Sequence, residues 1–400
     1  MTFPGLNWKG SDYYPHDSSS ARTVRECINR INEPELCHYA SQINNNVPCD
    51  LLPYTTNGLH HLVSIIEFKD KTRWIARMQM TKSTEDTAAG LKVEVDTMSL
   101  LADQTRVPVP RVFGYQLTDE NPIGAAFILM DFLPGNVAVD ACGGYAAHQG
   151  EIPTEHRHGF YKSIARIQLE ITSARLPNIG TVSKNKEGGY SVGPLPGIGG
   201  PFETASAFFK AWSKWAIFPK SLETIRLHMN GGPMEKVVAA INQFPSGIGS
   251  MAGRPSSLDC GPFPLVHRDF YHSNIIVDDE YHPIGIIDWE GACTLPWELV
   301  EFPLFLETLP ATMDSPSNYD ECGQPLDIQT RQRLRDRKIY AEMVARFEES
   351  NGMDSMLSST LVDEKVQSLA YAVRVYLDPG KLGFYDVVLT EYTQRSTCKN

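Results

Sequence analysis

One stretch of the 400-residue chain has residue types and spacing suited to chemistry. It reads His267-Arg-Asp-Phe-Tyr-His-Ser-Asn274, then Ile-Ile-Val and, after a polar turn, Ile284-Gly-Ile-Ile-Asp288-Trp-Glu. Two short apolar runs, 275 to 277 and 285 to 287, flank Asp278-Asp-Glu-Tyr-His-Pro283 and predict a hairpin centred on Tyr281. A symmetric register sets Asn274 directly opposite Asp288, with Cβ atoms ~5 Å apart. An amide oxygen and a carboxylate so placed suit one hard cation, and Mg²⁺ takes a few protein oxygens plus substrate phosphates. Asp269, five residues before Asn274, is then placed to orient a nucleophilic hydroxyl or accept its proton. An Asp, an Asn five residues on and an Asp closing a short hairpin form a known layout for phosphoryl transfer. The bland alternative is a capped loop before an ordinary hairpin, with Asp288 a solvated strand end.

The elements that must position these groups follow from periodicity. Val24, Ile28 and Ile31 recur at helical spacing up to Pro34. Leu62-Val-Ser-Ile-Ile-Glu-Phe and Arg73-Trp-Ile-Ala-Arg-Met, joined by a polar turn, predict an antiparallel hairpin. Residues 84 to 101 read as a helix with Leu91, Val95, Met98 and Leu101 on one stripe, broken by Val107-Pro-Val-Pro. Strands are expected over 111 to 117 and 125 to 132, ending at Leu133-Pro-Gly. Beyond Gly135 helical patterns dominate: 156 to 175, 204 to 215, 219 to 229, 232 to 243, 327 to 349 and 360 to 376. The Gly/Pro-rich stretches 188 to 201 and 245 to 264 read as loops. Three parts are expected: an N-terminal helical extension (1–50), a strand-rich lobe (51–133) and a helix-rich lobe (134–400).

With those motifs in place, the chain resembles the aminoglycoside phosphotransferase and choline kinase-like small-molecule kinases, in their fungal-type branch, over roughly residues 50 to 310. Asp288-Trp-Glu stands where protein kinases have Asp-Phe-Gly. Val107-Pro-Val-Pro-Arg-Val-Phe-Gly, Ile128-Leu-Met-Asp-Phe-Leu-Pro-Gly and Leu176-Pro-Asn-Ile-Gly match further family segments, and Trp297-Glu-Leu replaces a common Asp-Pro-x-x-Asp element. The resemblance implies an α+β, protein kinase-like bilobal fold with an antiparallel-sheet N-lobe and a mainly helical C-lobe. It assigns Asp269 to catalysis, and Asn274 and Asp288 to Mg²⁺. Arg77 holds the strand position of the phosphate-pairing base, with Glu94 as its helix partner. Met130, Asp131, Phe132 and Leu133 would offer backbone groups to the base of ATP, with GTP as the alternative. His267 would brace the catalytic loop. The phosphate-covering loop departs from the pattern: Tyr54-Thr-Thr-Asn-Gly58-Leu-His-His has one glycine, and His60 and His61 replace small polar residues. Glu290 is open between an outer metal ligand and a strand-end polar group.

Composition narrows the partners. A net charge of −12 argues against a sequence-independent grip on nucleic acid phosphates. No apolar run approaches the ~18 residues of a membrane span, and the N-terminus lacks a signal-peptide pattern, so a cytoplasmic location is expected. The eight cysteines show no Cys-x-x-Cys spacing and read as free thiols. The leading expectation is a small-molecule kinase that phosphorylates a hydroxyl of an aminoglycoside-, choline- or secondary-metabolite-like acceptor. A catalytically silent nucleotide- or metabolite-binding protein is the alternative. A protein kinase is disfavoured, because only nine residues, 289 to 297, separate Asp288 from the next expected helix. Acidic clusters at Asp363-Glu364 and between Asp314 and Glu321 suit an amine acceptor or simply solvated loops. The sequence leaves the oligomeric state open.

Overall fold

A computed structural model describes residues 3–10, 13–229, 233–252 and 258–394. Its strands, in chain order, are β1 (Cys49–Asn57), β2 (His61–Phe68), β3 (Arg73–Gln79), β4 (Val112–Gln116), β5 (Phe127–Asp131), β6 (Asn136–Val137) and β7 (Arg175–Leu176). They continue with β8 (Gly180–Lys184), β9 (Tyr190–Gly193), β10 (Phe263–Val266), β11 (Ile275–Val277), β12 (Pro283–Ile286) and β13 (Cys293–Thr294). The α-helices begin with α1 (Ser19–Arg30), α2 (Glu33–Ile43), α3 (Glu85–Gln104), α4 (Gly144–His148), α5 (Thr154–Ser173) and α6 (Ala205–Trp215). They end with α7 (Leu222–His228), α8 (Met234–Met251), α9 (Ile328–Ser350), α10 (Met356–Val362), α11 (Glu364–Leu377) and α12 (Tyr385–Gln394). The chain is α+β, with an antiparallel sheet in its N-terminal part and a helical C-terminal part.

Two compact units account for it: residues 1–160 with 271–291, and residues 161–270 with 292–400. The lobe boundary expected near 133 falls inside the first unit, because the 271–291 hairpin extends that unit's structure. β11 pairs with β12 on one side and with β6 on the other.

Unit 1 is built on a five-stranded sheet in the order β1-β2-β3-β5-β4. Residues paired across strands share a face. Leu62, Ile66, Trp74, Ala76, Met78, Phe127 and Leu129 therefore point one way, where they pack with Val24, Cys27, Leu36 and Ala40 of α1 and α2. The opposite face carries His61, Val63, Ile75, Arg77, Ile128 and Met130. α3 starts on a capping box between Thr84 and Thr87 and buries its expected stripe, with Leu101 fully covered.

The helix expected up to Pro34 ends at Arg30, and a second helix the sequence did not suggest follows it. Asn32 caps the second through Glu35 N–H, and Pro34 sits in its first turn, where no backbone donor is required. Unit 2 carries the sheet β7-β10-β13-β8-β9 and a core built on Phe208, Trp212, Phe244, Ile248, Tyr376 and Tyr385. Part of the loop expected over 188 to 201 is strand: β9 closes a hairpin with β8. The loop expected over 245 to 264 is corrected more sharply. α8 runs to Met251 through Pro245, residues 253–257 lie outside the described residues, and β10 begins at Phe263. Pro245 removes the N–H that would bond the Ile241 carbonyl, and the Tyr376 hydroxyl donates to that carbonyl instead at 3.1 Å. The expected helix over 232 to 243 begins at Met234, and Gly232 lies outside the described residues.

Candidate active site

In unit 1 the site centres on Arg77. Strand alternation turns its side chain to the face opposite α1 and α2, where only 9% of the residue stays exposed. Its Nη1 donates to Glu94 Oε2 at 2.8 Å, and its Nη2 donates to Asp288 Oδ1 at 2.9 Å. Glu290 Oε2 lies 3.8 Å from the same Nη2. Burial weighs against the guanidinium charge, but Glu94, Asp288 and Glu290 together hold Arg77 above its ordinary value. Glu94, 2% exposed, is pushed up by burial, with Arg77 pulling the other way. The structure thus brings Arg77, Glu94, Asp288 and Glu290 together, with Glu290 at the edge of the group. His61, across the hairpin from Gln79, is pushed down to about 3 by burial, then by the Arg77 charge. His60 is exposed.

The hairpin register differs from the symmetric one expected. Ile275 faces Ile286 and Ile276 faces Gly285, and the Ile287 N–H donates to the Asn274 carbonyl at 3.0 Å. Asn274 is therefore opposite Ile287, one residue short of Asp288. The turn explains the slip. Asp278 Oδ1 accepts the N–H groups of Glu280 and His282, Tyr281 adopts a φ of 65°, and an irregularity between Ile276 and Val277 leaves Ile284 unpaired in the ladder. Asn274 ends a 3₁₀ turn (His272–Asn274) and is 8% exposed. Asp288 has left the strand, with a φ of 64°, and 41% of its side chain is exposed.

In the 130–133 segment, Asp131 N–H donates to the Arg111 carbonyl, while Asp131 Oδ2 accepts Arg111 N–H. Phe132 meets the Phe3 ring at 5.8 Å, and the Leu133 carbonyl accepts Gly135 N–H. A Cβ at Gly135 would collide with the Val277 carbonyl, which explains the glycine after Leu133-Pro.

Asp269 belongs to unit 2, on the loop after β10. It is exposed, and its N–H donates to His267 Nδ1 at 3.2 Å, so that ring nitrogen carries no proton. The next residue, Phe270, accepts the Leu304 N–H through its carbonyl. Leu304 lines a cavity of about 1140 Å³ that lies wholly within unit 2. Glu301, also on its wall, feels the Arg268 charge beside Asp269. Arg374 grips Glu301 at 2.7 and 3.2 Å and Glu307 at 2.7 Å. Sequence reasoning missed Glu301, Glu307, Arg337 and Arg374. The repeated acid in Pro296-Trp-Glu-Leu-Val-Glu301 was the one available signal.

A metal site here would rest on one amide and one carboxylate, since no cluster of three or more His, Cys, Asp or Glu side chains could hold an ion among the described residues. Oxygen donors in that small number suit Mg²⁺, which keeps waters and substrate phosphates as its other ligands. The seven described cysteines are free thiols. No helix among the described residues is long and apolar enough to cross a membrane.

Residues 241–297 match the family model described as "Phosphotransferase enzyme family", a span containing Asp269, Asn274 and Asp288. A curated protein of Arabidopsis thaliana, "Probable acyl-CoA dehydrogenase IBR3", is 25% identical over 223 residues, covering 54% of this chain and 23% of its own. The chain thus spans less than a quarter of that relative's length. Among solved structures, a "putative aminoglycoside phosphotransferase" from Ralstonia eutropha is 15% identical, covers 93% of this chain and 100% of its own, and has a TM-score of 0.48. The GDP complex of wild-type aminoglycoside 2'-phosphotransferase-IIIa is 13% identical, covering 90% of this chain and 98% of its own, with a TM-score of 0.37.

Proposed function

We propose, from the match of residues 241–297 to the phosphotransferase enzyme family model, that the chain moves the γ-phosphoryl group of ATP to a hydroxyl of a small molecule, with Mg²⁺ bound. The acceptor oxygen forms the new bond to γ-phosphorus as the bond to the β–γ bridging oxygen breaks, and Asp269 takes the hydroxyl proton. Arg77 contacts phosphate oxygens, and Glu94 fixes the guanidinium so that little rotamer freedom is lost on binding. Backbone groups between Met130 and Leu133 receive the base. Asn274 and Asp288 would hold Mg²⁺, which offsets charge on the phosphate oxygens when bound.

The observation carrying this reading is the Arg77 guanidinium shared between buried Glu94 and the carboxylate of Asp288. It joins the proposed phosphate-binding strand to a proposed metal ligand across 211 residues of sequence. A second reading, nucleotide binding without transfer, draws support from the β1–β2 turn. Gly58 is the one glycine there, and its N–H is bonded to the His61 carbonyl.

Nucleotide depletion with a panel of alcohols, run beside thermal shifts with ATP or GTP and with or without Mg²⁺, separates the two. Asp269→Asn is expected to lower turnover by roughly 10²–10⁴-fold, the usual contribution of a positioned base, while leaving nucleotide binding intact. Equal turnover in that variant overturns the role of Asp269. Mg²⁺-dependent nucleotide binding with no consumption for any alcohol establishes the silent reading.

A further inference from the structure

The wall of the unit-2 cavity holds an imbalance of partners. Two of its acids are committed, since Glu301 and Glu307 both bond Arg374, while Glu364 and Glu391 also line the wall. Three of the acids that looked suited to an amine in the sequence are occupied as well. Asp363 caps α11 through the N–H groups of Lys365 and Val366. Asp314 accepts from Ser315 N–H and Asn318 Nδ2, and Asp320 closes its turn through Cys322 and Gln324.

Arg337, on α9, is the opposite case. It lines the cavity, lies over the Phe302 ring at 4.3 Å, and donates from Nη1 to Thr308 Oγ1 at 2.5 Å. Among the described residues no carboxylate pairs with it within 4.0 Å. A guanidinium has five N–H donors in a rigid fork, so most of Arg337's donors lack a bonded oxygen. Burial pushes the group down to about 10, against the more distant pull of Glu301, Glu364 and Glu307. Lys236 and Lys338 line the same cavity and add to its positive side.

We propose that Arg337 is the seat of an oxyanion, carboxylate or phosphate, on the molecule that occupies the unit-2 cavity, so that the acceptor is a hydroxylated acid rather than an amine. A planar oxyanion pairs two of the fork's donors at once, with Phe302 holding the guanidinium plane from one side. The cavity wall adjoins the loop that carries Asp269, because Leu304 N–H donates to the Phe270 carbonyl. Calling the ligand the acceptor rests on the phosphotransferase reading. The oxyanion seat itself does not.

Binding tests this without turnover. Gluconate, glucose and glucosamine share one carbon frame and carry negative, no and positive charge, and inorganic phosphate serves as a bare oxyanion. Each is titrated onto the full-length protein by calorimetry and thermal shift. Gluconate or phosphate should stabilise the wild-type protein, and equally Asp269→Asn, with the neutral and cationic sugars weaker. Arg337→Gln should weaken anion binding by roughly 10–100-fold, the range for hydrogen bonds to charged groups, and Arg337→Lys should fall between. Should Arg337→Gln fail to fold, Arg337→Lys keeps the charge and loses the fork, and a weakened anion affinity there carries the test. Preference for glucosamine, unchanged anion binding in both variants, or no stabilisation by either anion overturns the proposal. Arg337-dependent anion binding without transfer to any hydroxyl would leave the seat standing and remove the kinase reading. Transfer to amines alone would do the reverse.

Discussion

Replacing Arg77 with Met separates the two halves of the buried ion pair. Glu94 is 2% exposed and would be left beside Asp288 and Glu290 with its bonded cation gone. Stranding one partner of a buried pair costs about 3–5 kcal/mol. The reverse change is milder. In Glu94→Gln the guanidinium keeps Asp288 at 2.9 Å and Glu290 at 3.8 Å, and the amide oxygen still accepts from Nη1, so the loss should be about 1–2 kcal/mol. The double variant should cost less than the sum, with a coupling of about 2 kcal/mol.

The pH dependence has a definite sign. Burial already raises the Glu94 pKa, and removing Arg77 deletes the largest influence that lowers it. A raised carboxyl binds its proton more tightly in the folded state, so stability improves as pH falls and is lost as pH rises through the folded value. The Arg77→Met deficit should therefore be larger at pH 8 than at pH 5. Urea unfolding followed by tryptophan fluorescence, to which Trp74, buried in the same sheet, contributes, reads all four proteins. A Glu94→Gln cost equal to that of Arg77→Met, or a deficit that grows toward acid, would refute the assignment of Arg77 as the cation that compensates Glu94.

Two further outcomes follow from buried groups. Folding holds His61 neutral, at about 3 against 6.5 in the unfolded chain, so its contribution is complete above pH 6.5 and is lost as pH falls toward 3. Between pH 7.5 and 5.5 the wild-type protein should lose about 1 kcal/mol more stability than His61→Gln, measured by urea titration at each pH. Tyr376→Phe should cost about 1–3 kcal/mol, because the Ile241 carbonyl loses the hydroxyl that replaces the missing Pro245 donor; paired denaturant midpoints measure it.

Local signals were enough for the elements that frame the site. The 204 to 215 pattern became Ala205–Trp215, and the stripe on 84 to 101 became α3, because each depends on a cap and a face within one segment. The sequence misled where a distant residue compensates a local fault. Pro245 reads as a break until Tyr376, 131 residues later, supplies the lost bond. The Asn274–Asp288 register slipped because side-chain bonds from Asp278 shaped the turn, which residue counting does not see. Arg77 and Glu94 were legible as a pair only through the family resemblance, and the structure bonds them at 2.8 Å. Arg337 was not, since in an exposed-looking run of alternating charges on α9 nothing distinguishes a guanidinium turned into a cavity from one turned to water.

Mass spectrometry of the acceptor tests the central claim most directly. The wild-type protein, Asp269→Asn and Asp288→Asn are incubated with Mg²⁺ and ATP over a library of small hydroxylated acids, amines and neutral alcohols. The account predicts at least one compound gaining a single phosphoryl group with the wild-type protein alone, and none when Mg²⁺ is withheld. Phosphorylated product appearing equally with Asp269→Asn, or no product from any compound although Mg²⁺ and ATP bind, would contradict it.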